Sequence, residues 1–208
     1  DTFKHTMLCN MHTGHPSDCP HIERRGYTGD GELMCEAVMM TLECKDFYRK
    51  WMRDMRDTQA MSGGFPGVAP LAQYGSNMTM RFGWADAGVI VPWTVWKQFG
   101  DIRIVNENWN AMEKYMDHVY ETYYDHGRLI RENFNYQWAD HLSLEALETH
   151  QKENWVKNYK GKRSPCPEML EYWNYMSASY WALDAQMMID MARATGRDTK
   201  HYEKMLSE

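Results

Sequence analysis

Apolar residues recur at helical spacing along most of the chain. The pattern predicts five helices, over Asp1 to His12, Glu32 to Ala60, Trp84 to Phe99, Val105 to Tyr124 and Glu168 to Thr195. A break near Cys44–Lys45 divides the second helix, and a further helix begins at Asp198 or Thr199. Gly100 and Gly196 are predicted to end the helices that precede them. No segment alternates apolar and polar residues as a strand does, so the sequence predicts a mostly α protein.

The connections between these helices are long. Thr13 to Gly31 is rich in Gly and Pro, Met61 to Arg81 is a second loop, and Arg131 to Lys162 is polar with one short helix near Ser143 to Glu148. Connections in simple helix bundles usually have about 2 to 8 residues. The long loops therefore favour a helical toroid that carries its chemistry in the loops at one end.

Composition and charge narrow the class of protein. The 208 residues suffice for one domain, and a net charge of −6 with scattered Lys and Arg argues against nucleic-acid binding. No apolar run is long enough to span a bilayer, because Asp86 and Pro92 interrupt the most apolar stretch, Ala85 to Trp96. Nine Trp and thirteen Tyr favour a protein that stacks aromatic rings on sugars, although packing in the core accounts for most of them.

The five Cys residues are odd in number and form no CxxC motif, so we predict buried free thiols. One alternative is a structural zinc site, since Cys and His recur closely near the N-terminus. That set matches no familiar finger pattern, and we predict neither a metal nor a cofactor. The residues of the zinc alternative are Cys9, His12, His15, Cys19 and His21.

The stretch Pro16 to Glu32, PSDCPHIERRGYTGDGE, concentrates carboxylates in a turn-rich segment. Asp18, Glu23 and Asp30 are spaced so that a loop and a helix start can direct all three to one cavity. Like charges and burial raise carboxyl pKa values there, and a carboxyl that stays protonated near neutral pH can act as a general acid. Ionised neighbours accept hydrogen bonds from sugar hydroxyls. The stretch thus has the parts of a glycosidase acid with its binding groups.

The other residues of this stretch allow two interpretations. In the catalytic one, Arg24 or Arg25 balances the negative charge and Tyr27 supplies an aromatic surface. In the simpler one, Asp30 is the N-cap of the following helix and Asp18 forms a surface salt bridge with Arg24. Both patterns are common, and composition alone does not separate them.

Six blocks follow one another in the chain between about Asn10 and Met205. They are SDCPHIERRGYTGDGE, FYRKWMRDMRDTQ, GWADAGVIVPW, FGD, YQWADHLSLEAL and LEYWNYMSASYWALDAQMMIDMARATGR. Through these blocks the chain resembles the catalytic domain of the α-L-rhamnosidases, glycoside hydrolase family 78. The resemblance implies an (α/α)6 barrel, flanked in full-length enzymes by β-sandwich domains, that cleaves terminal α-L-rhamnose from glycosides with inversion.

The first block implies roles for its polar residues. Glu23 matches the family's general acid, and Asp18 and Asp30 match the acidic residues that bind rhamnose hydroxyls beside it. Arg24 follows the acid as in the family motif. Tyr27 stands where many members have Trp, a change that keeps an aromatic wall.

Later blocks imply further substrate contacts. Trp84 and Asp86 fall where the family lines its pocket. Asp140 matches the Asp of a GDW motif, but His141 replaces the Trp of that motif. Arg25, where Leu is common, is a further departure from the family pattern. The expected partner is a rhamnosylated glycoside or polysaccharide.

The resemblance also implies that the domain is incomplete. The family's general base is a Glu in a block further downstream than Glu208, and the carboxylates Glu145, Glu148 and Glu171 match no base motif. The sequence begins inside an apparent helix, so we expect a fragment of a longer chain. It ends in what looks like the eighth or ninth element of a twelve-helix barrel, so we expect residues 1–208 to be roughly the first two thirds of that barrel. The alternative is a non-catalytic fragment or a sugar-binding remnant that lacks the base.

Overall fold

The computed structural model describes residues 2–12, 14–71, 82–125, 128–129, 155–157, 163–165 and 167–208. These parts of the chain are mainly helical, which confirms the prediction of a mostly α protein. Seven helices lie within them: α1 Thr2–Asn10, α2 Thr28–Thr41, α3 Lys45–Asp57, α4 Ala87–Phe99, α5 Arg103–Tyr123, α6 Pro167–Thr195 and α7 Lys200–Ser207.

Short antiparallel strand pairs, which the sequence did not predict, connect some helices. With two or three residues each, they are too short to show alternation. The first pair also corrects the predicted end of the first helix, because Met11 pairs with Pro16 and His12 with His15. The pairs are β1 Met11–His12 with β2 His15–Pro16, β3 Tyr124–Asp125 with β4 Arg128–Leu129, and β5 Trp155–Lys157 with β6 Arg163–Pro165.

Helix α2 begins four residues earlier than predicted. The backbone N–H of Thr28 donates to the Gly67 carbonyl at 2.9 Å, and its hydroxyl donates to the Pro66 carbonyl at 3.0 Å. These contacts place Asp30 in the first turn of the helix rather than before it. The predicted break at Cys44–Lys45 is confirmed, since α2 and α3 are separate helices.

Helix α4 lies at the centre of the described fold and contacts α2, α3, α5 and α6. Gly88 allows the close approach of Phe65, whose ring atoms would lie 2.1 Å from a Cβ at that position. The helix begins at Ala87 and not at Trp84, because residues 82–86 form a turn. The left-handed Gly100, with φ of 67°, ends it as predicted, and Gly196, with φ of 69°, follows α6 in the same way.

The core is built from aromatic and Met side chains, as expected for most of these residues. Helix α3 shows the pattern clearly, with Tyr48, Trp51, Met52 and Met55 fully buried on one face. None of the helices that the structure describes is both long and apolar enough to cross a membrane.

The four Cys residues in the described ranges are free thiols. Burial raises the pKa of Cys35 to about 12 and that of Cys44 to about 11. Cys9 is exposed and Cys19 half-buried, so the prediction of buried thiols is wrong for Cys9. Cys166 lies outside the described residues.

Candidate active site

The segment between β2 and α2 is a closed loop. The backbone N–H of Asp18 donates to the Arg25 carbonyl at 3.0 Å, and the N–H of Arg25 donates to Asp18 Oδ1 at 3.0 Å. Inside this closure the N–H of Glu23 donates to Cys19 Sγ at 3.1 Å. Arg24 has a left-handed backbone with φ of 55°, which is uncommon for a residue other than Gly. The loop therefore presents Glu23 from an anchored backbone.

A second set of contacts fixes the end of this loop. The Ala69 N–H donates to the Gly26 carbonyl at 2.9 Å, and Tyr27 forms an antiparallel bridge with Val68. A Cβ at Gly26 would lie 2.0 Å from the Ala69 carbonyl oxygen. Gly26 is thus the residue that lets the loop pass this close to residues 66–69.

Glu23 and Tyr27 are joined directly. The Tyr27 hydroxyl donates to Glu23 Oε2 at 2.8 Å. Burial raises the pKa of Tyr27, and the carboxylate of Glu23 raises it further, so the phenol stays protonated and remains a donor. Glu23 itself is exposed, so its carboxyl is held by Tyr27 while open to a ligand.

Asp18 and Asp30 line one cavity of about 250 Å³ between α1 and α2. Burial raises the pKa of Asp30, and the charges of Asp18 and Glu23 raise it further. The charges of all three predicted carboxylates thus act on one another, but only Asp18 and Asp30 line the cavity, and Glu23 is not part of its wall. The rest of the wall includes the apolar residues Met7, Met11, Leu33, Val38 and Tyr48.

The simpler interpretation of this stretch is wrong for Asp30. The N-cap of α2 is Tyr27, and Asp30 is the third residue of the helix. Arg24 is exposed, and its carbonyl lies 3.4 Å from His15 Nε2. Asp18 uses one carboxylate oxygen to accept the Arg25 N–H, as described above.

Trp84 and Asp86 lie in the turn before α4, which packs against the first turn of α2. A Cβ at Gly29, next to Asp30, would lie 2.7 Å from the Trp84 ring and 2.7 Å from the Gly83 carbonyl oxygen. Asp86 is fully buried and accepts hydrogen bonds from the Gly83 N–H at 2.5 Å and the Tyr115 hydroxyl at 2.7 Å. Trp84 therefore contacts the segment that carries Asp30, whereas Asp86 reaches it only through its neighbours.

Two buried carboxylic acids beside Asp86 were missed by the sequence analysis. Glu32 is 5% exposed and Asp184 is fully buried. Burial raises the pKa of each well above its ordinary value, and the charge of Asp86 raises both further. The sequence did carry a signal for the burial of Asp184, because this residue lies among the apolar positions of α6 between Trp181 and Met188.

The predicted substrate contact Asp140 lies outside the described structure, as do Glu145, Glu148 and the side chain of Glu171, which match no base motif. Within the described ranges no group of His, Cys, Asp or Glu is placed to hold a metal ion. Cys9 Sγ lies 3.7 Å from His5 Nε2 on the exposed α1. The described residues thus give the zinc alternative no support.

The helical scaffold thus carries the candidate carboxylates on the loop before α2 and in the first turn of that helix. The model of the bacterial alpha-L-rhamnosidase 6 hairpin glycosidase domain matches residues 1–208, and the chain belongs to this family. The family resemblance seen in the sequence is thereby confirmed.

Curated relatives match part of the chain. An alpha-L-rhamnosidase of Formosa agariphila is 35% identical over 104 residues, which are 50% of this chain and 11% of the relative. An alpha-L-rhamnosidase of Streptomyces avermitilis is 38% identical over 92 residues, 43% of this chain and 9% of that protein. These matches span about a tenth of the relatives' length.

Solved structures support the fold over nearly the whole chain. The crystal structure of Streptomyces avermitilis alpha-L-rhamnosidase complexed with L-rhamnose has a TM-score of 0.71 at 25% identity, and the match covers 98% of this chain and 18% of that one. The alpha-L-rhamnosidase of Aspergillus terreus has a TM-score of 0.71 at 22% identity, with 97% and 22% covered. The predicted fold class, the helical (α/α)6 toroid of the six-hairpin glycosidases, is confirmed.

Proposed function

We propose that this chain is part of the catalytic domain of an α-L-rhamnosidase that hydrolyses terminal α-L-rhamnose from glycosides with inversion. The general acid is Glu23. One observation carries the proposal: in a chain of this family, Tyr27 donates a hydrogen bond to the exposed Glu23 carboxyl at 2.8 Å, and the charges of Asp18 and Glu23 both act on Asp30.

Glu23 donates a proton to the glycosidic oxygen as the bond to the leaving group breaks. Its backbone is anchored to Cys19, and Tyr27 fixes Oε2. We assign proton donation to the other oxygen, Oε1. An anchored acid loses little conformational freedom when substrate binds, which lowers the entropic part of the barrier.

Asp18 and Asp30 accept hydrogen bonds from the sugar hydroxyls. Asp30 is half-buried, so a hydrogen bond to it gains strength from the lower local dielectric. The apolar wall beside the two carboxylates suits the methyl group and C–H face of a deoxysugar. These features support rhamnose as the sugar and a carbohydrate as the partner.

The remaining assignments follow the family motifs. Arg24, Tyr27 and Trp84 border the sugar, and Asp140 contributes a further contact. Asp86 has no exposed surface in the described structure, so we assign it an indirect role through Trp84 and Asp30.

The experiment that tests the acid compares leaving groups in the native polypeptide that carries this chain. Glu23→Gln is expected to lower kcat/KM for a rhamnoside with a poor leaving group, such as methanol, by about 10²- to 10⁴-fold. The loss for 2,4-dinitrophenyl α-L-rhamnoside is expected to be much smaller, because that leaving group departs without a proton. Glu36→Gln, an exposed position on α2, is the control. Equal losses for both substrates contradict the assignment.

Inversion has its own test. Proton NMR of the first turnovers is expected to show β-L-rhamnose before the anomers equilibrate, because water attacks the face opposite the leaving group. Initial formation of the α anomer would mean a retaining mechanism and a different use of the carboxylates.

A further inference from the structure

Three acidic side chains from separate parts of the fold meet in the core. Glu32 lies on α2, Asp86 directly precedes α4, and Asp184 lies on α6. The exposed fractions of these residues are 5%, 0% and 0%. Burial raises the pKa of Glu32 and of Asp184, and the charge of Asp86 raises both further, so the three carboxyl groups act on one another electrostatically.

The donors around this cluster distinguish the three groups. Asp86 accepts two hydrogen bonds, from the Gly83 N–H and the Tyr115 hydroxyl. Among the described residues no donor reaches either oxygen of Asp184 or Oε2 of Glu32. The groups that act on Glu32 and Asp184 are carboxylates and a tyrosine, and no described cation is among them.

Electrostatics then decides which group is ionised. An isolated buried charge costs several kcal/mol, and adjacent like charges add to that cost. Burial raises the pKa of Asp86 as well, but the hydrogen bonds from Tyr115 and Gly83 lower it, so the anion is favoured at Asp86. Since no such donor in the described part of the chain reaches Asp184 or Glu32 Oε2, the neutral form is favoured at both residues, and a neutral Asp184 can donate its hydroxyl to Asp86.

The cluster is linked to the candidate active site by short contacts. Asp86 holds the N–H of Gly83, and the Gly83 carbonyl and Trp84 ring pack on Gly29. Gly29 precedes Asp30 in the first turn of α2. The turn that contains Gly83 and Trp84 also approaches α6, because a Cβ at Gly83 would lie 3.6 Å from the Tyr180 ring.

We propose that Glu32, Asp86 and Asp184 form a buried positioning network, in which two neutral acids flank an ionised Asp86 and hold the Gly83–Trp84 turn against the segment that carries Asp30. This inference rests on the proposed function and deepens it. The three acids touch no substrate. They fix Trp84 and Asp30, which do.

The first test is a spectroscopic signature that needs no enzymatic activity. The native polypeptide that carries this chain is labelled with ¹³C at the aspartate carboxyls, and its infrared spectrum is recorded at neutral pH. The difference between wild type and Asp184→Asn is expected to contain the C=O band of a protonated carboxylic acid. Asp190 is half-buried on the same helix, and Asp190→Asn is the control. The spectrum of this control variant is expected to keep the C=O band seen in wild type. A difference spectrum with only carboxylate bands overturns the proposal.

The second test is rescue by the conservative variant. Asp184→Leu removes the donor to Asp86 and is expected to raise KM for an aryl α-L-rhamnoside about tenfold, with a smaller effect on kcat. Asp184→Asn places an amide donor at the same position and is expected to restore most of that loss. If Asp184→Leu does not fold, the comparison of Asp184→Asn with wild type decides. A folded Asp184→Asn variant whose KM rises as much as expected for Asp184→Leu overturns the network. If wild type lacks rhamnosidase activity altogether, the proposed function fails while the infrared test still decides the network.

Discussion

The Tyr27 hydroxyl donates a hydrogen bond to Glu23 Oε2 at 2.8 Å, across only four residues of chain. The contact depends on two local features, the closure between Asp18 and Arg25 and the bridge between Tyr27 and Val68. Backbone pairing thus fixes the tyrosine, and the tyrosine fixes the carboxyl. The proposed acid is therefore oriented by a tyrosine of its own loop, which residues 66–69 hold in place.

Tyr27→Phe removes this hydrogen bond and keeps the aromatic ring. We expect kcat on a rhamnoside with a poor leaving group to fall about tenfold, since a hydrogen bond to an ionisable group is worth about 1.5 kcal/mol. The KM and the thermal midpoint should change little, because the aromatic ring is kept and the Glu23 side chain is exposed. Steady-state kinetics of the native polypeptide checks this. An unchanged kcat would show that Tyr27 does not orient the acid.

Gly26→Ala tests how closely the loop must approach residues 66–69. The added Cβ would lie 2.0 Å from the Ala69 carbonyl oxygen, so the backbone must move. We expect the free energy of unfolding to fall by about 3 kcal/mol, at the upper end for overpacking. Activity should fall with it, because Tyr27 and Glu23 move too.

Gly100→Ala is the matched control for that substitution. Gly100 has a left-handed backbone but no atom within 4 Å of an added Cβ. Gly100→Ala should therefore lower the free energy of unfolding through backbone strain alone, by about 1 kcal/mol. Denaturant unfolding of both variants separates the two effects. A Gly26→Ala loss no larger than that of Gly100→Ala would mean that the loop can shift freely.

The sequence predicted the helices well because their apolar spacing is a local property. The left-handed stops at Gly100 and Gly196 were predictable for the same reason, since they depend on one residue type at a helix end. The start of α2 was not, because it is set by hydrogen bonds from Thr28 to Pro66 and Gly67, nearly forty residues away.

The candidate site was predictable in part. Asp18, Glu23 and Asp30 lie within thirteen residues, so their spacing and family motif placed them together. The charge of buried Asp86 acts on Asp184, almost a hundred positions away along the chain, and no local pattern specifies that these two residues approach each other. Likewise, the bond from Tyr27 to Glu23 depends on a loop conformation that the sequence does not display.

The pH dependence of stability should report on Asp30. Burial and the neighbouring carboxylates raise its pKa above the ordinary value of 3.8, so the folded state holds the proton more tightly than the unfolded state. This contribution to the free energy of unfolding is complete below pH 3.8 and is lost as the pH rises through the folded-state pKa. Asp30→Asn should therefore make the decline of stability above about pH 4 less steep.

Denaturant unfolding of wild type and Asp30→Asn, at several pH values from about 4 to 7, measures that slope. Asp57→Asn, at an exposed position on α3, controls for the change in net charge. Parallel pH profiles for wild type and Asp30→Asn would show that Asp30 ionises as readily in the folded chain as in the unfolded one.

Arg24 combines a left-handed backbone with an exposed side chain, and two variants separate these properties. Arg24→Ala and Arg24→Gly both remove the guanidinium, but only Gly adopts φ of 55° without strain. A left-handed residue other than Gly costs about 1 to 2 kcal/mol, partly offset by the greater entropy of Gly in the unfolded chain. We expect Arg24→Gly to be more stable than Arg24→Ala by about 1 kcal/mol in denaturant unfolding.

The activity of the same two variants tests the proposed contact of Arg24 with the sugar. If the guanidinium borders the substrate, both variants should raise KM for an aryl α-L-rhamnoside by the same factor, whatever their stability. If the backbone conformation alone matters, Arg24→Gly should match wild type in KM while Arg24→Ala does not. The second pattern would remove Arg24 from the substrate contacts and leave it as the residue that turns the chain after Glu23.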